Sequence, residues 1–445
     1  MRHRFLLTSI CLVVVGLLAA VGLSSAEPYD FGGQTVVIQH NMTFDRLYGD
    51  NPEGLAHLDW VEKTFNVKLE WRSGLRNEDA IEPLAADIIA GNAPDLVRID
   101  SGAMAMAALQ GLVMPIDELI DEEFKTRVAP HRTTDFDSFS KVGEHYYAFS
   151  GGQAPQGTGI WWNVDLFERE GLPSPYELWK AGEWTWDAML DIAIKATRDT
   201  DGDGVIDQWG LTDYSGFTGQ GSLPVWTLAS NNARSFRFDE SGNVVFALDE
   251  PEAMEAFNFL YELVHVYKVV PISGVDRRAI FINGKCAMIA HRTWGARHFA
   301  EAGMEEHYSW VPFPKGPRAD EHRAVFHTDN IWFIPISSKY DPAALIELHY
   351  ALNRLTEEYM DVTNEEHAER WKQSFFYMHA RDYESVETFE WVVANSEVYT
   401  DTYLLYFPEF LNVINAIMIQ GENPATVIAS IKPSMQAHLE QLFNK

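Results

Sequence analysis

The sequence has few cysteines and few positive charges, and both shortages exclude classes of protein. Its 445 residues include only two cysteines, Cys11 and Cys286. If Cys11 leaves with a leader, no intramolecular disulfide can form, and we expect Cys286 to be a small core residue rather than a nucleophile. Against 65 acidic residues there are 34 basic ones, which gives a net charge of −31. Such a field disfavours nucleic acid as a partner.

Other patterns are missing as well. The fifteen histidines show no HExxH-like spacing, so a zinc metalloenzyme has little support. The chain has no internal repeat and no low-complexity linker, and no segment after the N-terminus is apolar enough to cross a membrane. A chain of this length, 46% apolar, predicts at least two lobes joined by ordered crossings rather than by one tether.

The N-terminus has the composition of a leader. Arg2 and Arg4 precede an apolar stretch that ends near Leu23, and small residues lead up to Ala26. This pattern predicts a signal peptide over residues 1–26, cleaved after Ala26. A membrane anchor is the alternative, because the apolar stretch is nearly long enough to span a bilayer. No cysteine follows the cut, so we expect a periplasmic protein without a lipid anchor.

The rest of the chain alternates between strand and helix patterns. The runs QTVVIQH, VKLEWR and LVRID predict three strands, with helices over about 54–65 and 79–90 between them and Gly91 ending the second helix. This order predicts an α/β fold with a parallel sheet. Further on, IWWNVDLF predicts a strand that enters a helix, Thr185 an N-cap, and CAMIA and NIWFIPI two more strands. From about Pro342 the pattern is mostly helical.

Several local motifs follow one another in a specific order. They are GNAPDLVRID, LQGLVMPIDELI, GEHYYAF, WWNVDLFEREGLPSP, WTWDAMLDIAIKAT, FINGKCAMIAHRTW and VPFPKGP. Together they closely resemble the extracellular solute-binding proteins of family 1, the sugar-binding, maltose-binding-protein-like components of ABC transporters. The resemblance covers nearly the whole chain after the leader.

The resemblance implies a fold and a function. The fold would be the two-lobed periplasmic-binding-protein fold of type II, with a first lobe of residues 27–152 plus about 325–385 and a second of 153–324 plus about 386–445. A carbohydrate would lie in the cleft between the lobes and be enclosed by hinge closure. We therefore expect a monomeric binding protein that is not an enzyme, carries no organic cofactor and delivers its ligand to the membrane subunits of an ABC permease.

A sugar site needs aromatic platforms for flat C–H faces and polar partners for hydroxyls. Trp294 follows the strand of the AHRTW motif, where the resemblance places a sugar-stacking tryptophan. The other candidates are Asp100 and Asn41 after two strands, Gln156 and Trp162 beside the first crossing, and the aromatic residues Trp332 and Tyr406. The resemblance implies an acid near position 156, as in the maltose-binding members of the family. This chain has Gln156 there instead, which indicates a changed ligand. Asp100 could instead lie in a solvated loop, and Trp162, Trp332 and Tyr406 could be core.

The segment DTDGDGVIDQW predicts a structural calcium site. Asp199, Asp201 and Asp203 occupy positions 1, 3 and 5 of an EF-hand-type loop, Gly204 occupies position 6, and Val205 would add its carbonyl. Asp207 stands at position 9. Position 12 is Gly210 instead of a bidentate Glu, so Asp213 or another segment would have to supply that ligand. The alternative is a polar turn that binds no ion.

Two other functions stay open at this point. A secreted glycoside-active enzyme would need two facing carboxylates, and the sequence singles out no such pair. A binding protein of this kind could also take a peptide, a glycerol phosphate or a polyamine instead of a sugar.

Overall fold

The structure is a computed structural model of the chain. It describes residues 29–49, 51–73, 77–121, 124–125, 136–150, 157–217, 223–326, 330–353, 380–398 and 408–443. The predicted leader lies outside these residues.

The strands of the described chain are short, as is usual for α/β proteins. They are β1 (Thr35–His40), β2 (Lys68–Ser73), β3 (Leu96–Asp100), β4 (Lys141–Val142), β5 (His145–Tyr146), β6 (Ala148–Ser150), β7 (Thr158–Asn163), β8 (Trp209–Asp213), β9 (Phe236–Phe238), β10 (Val244–Phe246), β11 (Cys286–Arg292), β12 (Tyr308–Pro312), β13 (Ala324–Phe326), β14 (Asn330–Phe333) and β15 (Ser396–Val398).

The helices alternate with these strands up to β14 and dominate afterwards. They are α1 (Pro52–Thr64), α2 (Ile81–Ala90), α3 (Ser101–Leu109), α4 (Phe136–Ser140), α5 (Val164–Glu170), α6 (Pro175–Lys180), α7 (Trp186–Ala196), α8 (Leu223–Ser230), α9 (Pro251–Tyr261), α10 (Arg277–Ile282), α11 (Gly295–Glu301), α12 (Pro342–Asn353), α13 (Tyr383–Asn395), α14 (Pro408–Ile414) and α15 (Pro424–Phe443). None of these described helices is both long and apolar enough to cross a bilayer.

Local sequence signals explain where several helices begin and end. The Thr185 side chain accepts a hydrogen bond from the amide of Ala188 and caps α7, as the sequence predicts. Gly91 ends α2 with a φ of 70°, in the left-handed region that glycine adopts without steric cost. Pro251 opens α9 at a position where its missing N–H leaves no hydrogen bond unmade.

Five strands form the first sheet, in the order β2-β1-β3-β14-β6. The strands β1, β2 and β3 are parallel, as predicted, and β14 runs antiparallel to β3 and β6. Because β14 comes from residues 330–333, this sheet is assembled from two separate pieces of chain. The helix α12, which follows β14, packs on α1 and accepts a hydrogen bond at the Ala351 carbonyl from His57, at 2.8 Å.

Four strands form the second sheet, in the order β12-β7-β11-β8. Only β8 and β11 are parallel, while β7 runs antiparallel to both of its neighbours. The parallel arrangement predicted from the first three strands therefore does not extend through this second sheet. All six residues of β7 are buried, and a continuous apolar run predicts a central strand without revealing its direction.

The last part of the chain returns to the second sheet. The helix α13 packs on β12, and α15 packs on β10 and α9. A parallel pair of short strands, β13 and β15, joins the segment that follows the second sheet to the one that follows α13. The two larger sheets thus belong to two discontinuous units, which is the two-lobed architecture that the resemblance implies.

Buried aromatic and apolar residues fill the core of both units. Trp161, Trp184, Trp226 and Trp310 are almost fully buried. These four tryptophans therefore serve packing rather than ligand contact. Cys286 is a free, fully buried thiol whose pKa burial raises. This confirms its interpretation as a core residue.

Candidate functional site

Trp294 lies at the carboxyl edge of the second sheet, just after β11 and directly before α11. Three rings contact its indole edge-to-face, with centroid distances of 4.3 Å to His291, 5.5 Å to Tyr214 and 5.6 Å to His298. These four residues are called the Trp294 cluster below. The contacts fix the orientation of the indole, while Trp294 itself stays only half-buried. A ring held at its edges and open on part of its surface is a suitable platform for a flat apolar ligand face.

The edge of the sheet brings this cluster together. The strands β8 and β11 are parallel, so Tyr214 and Trp294, which follow them, leave the sheet on the same side. Ligands of open α/β sheets bind at this carboxyl edge. Asp213, the last residue of β8, is fully buried, and its carboxylate accepts the amides of Ser215 and Phe217 at 2.8 and 3.2 Å. These bonds fix the turn that presents Tyr214.

Positive groups surround the Trp294 cluster. The Nε of Arg278 donates to the carbonyl of Tyr214 at 3.1 Å, and its guanidinium lies 5.7 Å from the centre of the Tyr214 ring. Burial lowers the pKa of His291 well below its ordinary range, and Arg278, His298 and Arg292 lower it further. His291 is therefore a neutral packing partner of Trp294, and the positive charge beside it comes from the two arginines.

A second group of polar residues lies at the carboxyl edge of the first sheet. Arg98 of β3 is only 4% exposed, and it donates to the side-chain oxygen of Asn41 at 2.6 Å. His40, which precedes Asn41, lies opposite Arg98 in the register of β1 and β3. Asn41 thus stands after the first strand, as predicted, with its amide held by a buried arginine that the candidate list did not include.

Asp100 does not lie in a solvated loop. It is 3% exposed, and its Oδ1 accepts the amide of Ala103 at 3.0 Å, which makes it the N-cap of α3. The cap explains the acid at this position without a ligand.

Trp162 and Trp332 occupy the core, which was the alternative reading for both. Trp162 is 5% exposed and packs edge-to-face on Phe167, with the ring centres 4.9 Å apart. Trp332 is 2% exposed and lies between His40 and His349. Each stands on a central strand whose two faces are covered, so neither offers a face to a ligand. Gln156 and Tyr406 lie outside the described residues.

The histidines beside Trp332 predict an acid-sensitive fold. Burial, and then the charge of Arg98, lower the pKa of His349 to about 3. The same two causes lower the pKa of His40 to about 3. Between pH 6.5 and 3 the unfolded chain binds protons that the folded chain does not, so stability present at neutral pH is lost progressively as the pH falls.

His349→Leu tests this origin of acid sensitivity. Both ring nitrogens of His349 are buried without a hydrogen-bond partner in the described part of the chain, so leucine can take its place. We expect the loss in free energy of unfolding between pH 7 and pH 5 to be smaller in the variant by about 2 kcal/mol. Urea titrations at the two pH values measure this difference. Equal losses in variant and wild type would contradict the assignment.

The acidic loop after α7 brings three carboxylates together. One oxygen each from Asp199, Asp201 and Asp203 lies within 4.8 Å of the others. Gly204 has a φ of 93°, as the predicted sharp turn requires, and its amide donates to Asp199 at 2.7 Å. This amide is also the main reason why the pKa of Asp199 is lowered. The first half of the predicted calcium loop therefore has a geometry in which carboxylates converge.

The second half of the loop differs from the prediction. Asp207 lies outside the three-acid group, because its carboxylate accepts the amide and hydroxyl of Thr200 at 2.8 and 2.6 Å. Thr200, with help from Lys285, lowers the pKa of Asp207 to about 2. The amide of Val205 donates to Asp203 at 2.8 Å. Asp213 cannot complete the site, since its oxygens bind amides at the turn after β8.

Gly210 explains why no glutamate stands at position 12. A Cβ on this residue would lie 2.1 Å from the backbone oxygen of Ala193. The strand β8 thus approaches α7 so closely that only glycine fits at this position. A glutamate at position 12 of the loop would be incompatible with this packing.

A cavity of about 710 Å³ opens beside β13 and contains none of the predicted ligand residues. Trp179 and Trp391 line it, with ring centres 5.5 Å apart. One pair of its charges is already matched, since Lys180 lies 2.5 Å from Glu387 and lowers the pKa of that carboxyl together with Tyr176. Because it contains none of the predicted ligand residues, this cavity is a weaker candidate than the two sheet edges.

Sequence reasoning missed six residues of these edges. They are Arg98, Tyr214, Arg278, His291, Arg292 and His298. Arg98 in the interior of the run LVRID was a usable signal, because a buried strand rarely carries an unpaired charge. The association of Tyr214 with His291 and Trp294 depends on long-range strand pairing, for which no local signal exists.

Comparison with known proteins gives one family and many structures. Residues 53–351 match the sequence profile of a family described as bacterial extracellular solute-binding protein. No curated protein matches the chain by sequence.

Solved structures resemble the chain over nearly its full length. A cyclo/maltodextrin-binding protein in complex with maltotetraose has a TM-score of 0.62 and 16% identity, and the match covers 92% of this chain and 97% of that one. A solute-binding protein of an ABC transporter from Thermotoga lettingae, bound to α-D-tagatose, has a TM-score of 0.62 and 18% identity over 91% and 100%. A maltotriose-binding protein from Thermus thermophilus, with maltotriose, has a TM-score of 0.61 and 15% identity over 91% and 100%. These likenesses establish the two-lobed fold.

Proposed function

Because the chain belongs to the bacterial extracellular solute-binding proteins, we propose that it captures a carbohydrate for an ABC importer. The observation that carries the proposal is the Trp294 cluster, an indole held by three rings at the carboxyl edge of a sheet. Such a platform suits the C–H face of a sugar ring. The sugars named for the similar structures, among them maltotetraose and tagatose, support the same ligand class.

The two-unit architecture suits capture by closure. The short pair β13 and β15 connects segments associated with different sheets, and such connections can serve as hinges. A ligand that contacts both sheet edges would favour the closed form, and this form would be recognised by the permease. In this proposal the leader is cleaved after Ala26, and the protein acts as a periplasmic monomer.

We propose binding without turnover. The described acids nearest the two sheet edges have structural roles, since Asp100 caps α3 and Asp213 holds the turn after β8. A glycoside-active enzyme would require two carboxylates that face each other across a substrate.

A screen of ligands tests the function. The purified protein is heated with and without monosaccharides, oligosaccharides, amino acids, peptides, glycerol phosphate and polyamines. We expect a carbohydrate to raise the melting temperature, because a ligand that binds only the folded state stabilises it by mass action. The proposed ligand class would be overturned if peptides or polyamines raised the melting temperature and no carbohydrate did. Release of new reducing ends would overturn the binding role.

A structural calcium ion at the Asp199–Asp203 turn is a second proposal. Three carboxylate oxygens within 4.8 Å repel one another unless a cation lies between them. Hard oxygen ligands around a tight turn suit Ca²⁺. With Asp207 bound to Thr200, water or another loop oxygen would complete the coordination.

Calcium should stabilise the wild-type protein. At a calcium concentration of about 100 times the dissociation constant, we expect about 2.7 kcal/mol of stabilisation and a melting temperature several degrees higher than in chelator. Asp203→Asn should remove most of this shift, because asparagine can keep the turn hydrogen bond but not the charge. Asp239→Asn is the matched control, since Asp239 also caps a turn, accepting from Ser241 at 2.9 Å. The proposal fails if calcium leaves the wild-type melting temperature unchanged.

A further inference from the structure

Several described arginines of this acidic protein have an acidic partner. Those with an acidic oxygen within 4.0 Å are Arg72, Arg169, Arg198, Arg237, Arg297 and Arg318. Arg98, Arg278 and Arg292 differ. Across the described ranges, none of the three has a carboxylate within that distance. All three lie at the two sheet edges. With 65 acids in the chain, the absence of carboxylates at these positions is a local feature and not a consequence of composition.

Arg98 is the strongest case, because it is buried. A guanidinium stays protonated in a protein, and its burial is strongly destabilising unless a partner compensates for it. Its NH1 donates to Asn41, a neutral acceptor that leaves the positive charge in place. The two histidines near it do not add an anion, since both are neutral above pH 3 or so, where their pKa values lie. The Nε and NH2 of Arg98 are not among the fully buried polar atoms that lack a partner in the described part of the chain. Part of their surface is therefore open to a ligand.

The second sheet carries an independent instance of the same feature. Arg278 and Arg292 are both half-buried, and both are close enough to His291 to lower its pKa. The ring of His291 in turn packs on the indole of Trp294, with the ring centroids 4.3 Å apart. The proposed sugar platform is therefore bordered by two positive charges that the described part of the protein leaves uncompensated.

We propose that the ligand is an acidic carbohydrate, a saccharide whose carboxylate groups bind the unpaired arginines at the two sheet edges. The proposal rests on the proposed function and narrows its ligand class. The planar fork of arginine matches a carboxylate with two parallel hydrogen bonds. Sulfate and phosphate esters share the oxyanion chemistry. The net charge of −31 does not oppose the idea, because local positive groups determine affinity at contact range, where long-range repulsion is screened.

Titration calorimetry with matched ligands tests the proposal. The panel contains trisaccharides of galacturonate, glucuronate and mannuronate, their methyl esters, neutral maltotriose and cellotriose, and a sulfated and a phosphorylated sugar. We expect the best ligand to be a uronate that binds at least ten times more tightly than its own methyl ester. This preference should shrink at high salt, since it depends on charge.

Variants locate the effect. Arg98→Gln should weaken binding of the preferred uronate by about 10- to 100-fold, which is the range for charge-assisted hydrogen bonds. Arg237→Gln, which removes an exposed arginine paired with Glu250 at 2.6 Å, is the control and should leave binding unchanged. If Arg98→Gln does not fold, Arg278→Gln serves as the second variant and should also weaken uronate binding.

Three results would overturn the inference. A neutral trisaccharide that binds more tightly than every uronate would contradict it, as would equal binding of acid and ester. Preference for the sulfated or phosphorylated sugar would overturn the assignment of a carboxylate as the recognised group. The arginines would then recognise another oxyanion. In each of these cases the proposed function survives. Failure of every carbohydrate in the panel would instead contradict the proposed function itself.

Discussion

Trp294→Ala is expected to weaken carbohydrate binding by about 100-fold. The substitution removes the largest aromatic surface at the carboxyl edge of the second sheet, and truncation of a buried aromatic anchor typically costs 2 kcal/mol or more. It also releases Tyr214, His291 and His298, which hold the indole edge-to-face. Calorimetric titration with the best ligand of the screen measures the change.

A tryptophan elsewhere on the surface provides the control for this prediction. Trp60 of α1 is 39% exposed and stacks on His57, and it lies on the other unit. Trp60→Ala should therefore bind the ligand as the wild type does. Full affinity in Trp294→Ala would remove this residue from the site, and a parallel loss in Trp60→Ala would show that the effect is general destabilisation.

Gly210→Ala is expected to lower the free energy of unfolding by about 3 kcal/mol or more. The added Cβ would lie 2.1 Å from the backbone oxygen of Ala193 and 2.5 Å from its Cα. Backbone cannot rotate away as a side chain can, so either β8 or α7 must shift. The shift would also disturb the Asp199–Asp203 turn, which lies between these two elements. Chemical denaturation measures the loss.

Gly49→Ala is the matched control for the strand glycine. Gly49 is exposed, and its added Cβ would meet only the Asp45 side chain, at 3.4 Å. We expect little change in stability. If Gly210→Ala is as stable as Gly49→Ala, β8 does not pack as closely on α7 as the structure shows.

The local pattern of the sequence predicted much of the fold. The strands β1, β2 and β3 were visible as short apolar or alternating runs, and Gly91 and Thr185 marked helix ends through their backbone and side-chain chemistry. Such signals depend only on neighbouring residues, so one sequence is enough to read them. The direction of β7 was not predictable in this way, because it depends on pairing with β11 and β12, far along the chain.

The site was predicted less completely, and for a physical reason. Trp294 was placed correctly after its strand, since a strand end is a local feature. Trp162 and Trp332 were not separated from core residues, because an aromatic residue on a central strand looks the same whether its outer face is covered or open. Asp207 lies outside the group formed by Asp199, Asp201 and Asp203 because Thr200 and Lys285 bind it, and the Lys285 contact comes from a distant segment.

The unpaired arginines show what the structure adds to the sequence. An excess of acids over bases indicates an acidic surface, and it gave no information about the charge at the two sheet edges. The structure shows that positive charges lie at these edges, since Arg98 donates to Asn41 and Arg278 donates to the carbonyl of Tyr214. Net charge describes the whole surface, whereas recognition depends on the few groups within contact distance.

Calorimetric titration of the full protein with the carbohydrate panel, followed by analysis of the recovered sugars, tests the central claim most directly. The account predicts saturable binding of one carbohydrate per chain, recovered without cleavage. It would be contradicted if no carbohydrate bound while a peptide or polyamine did, or if the sugars were recovered as shorter products.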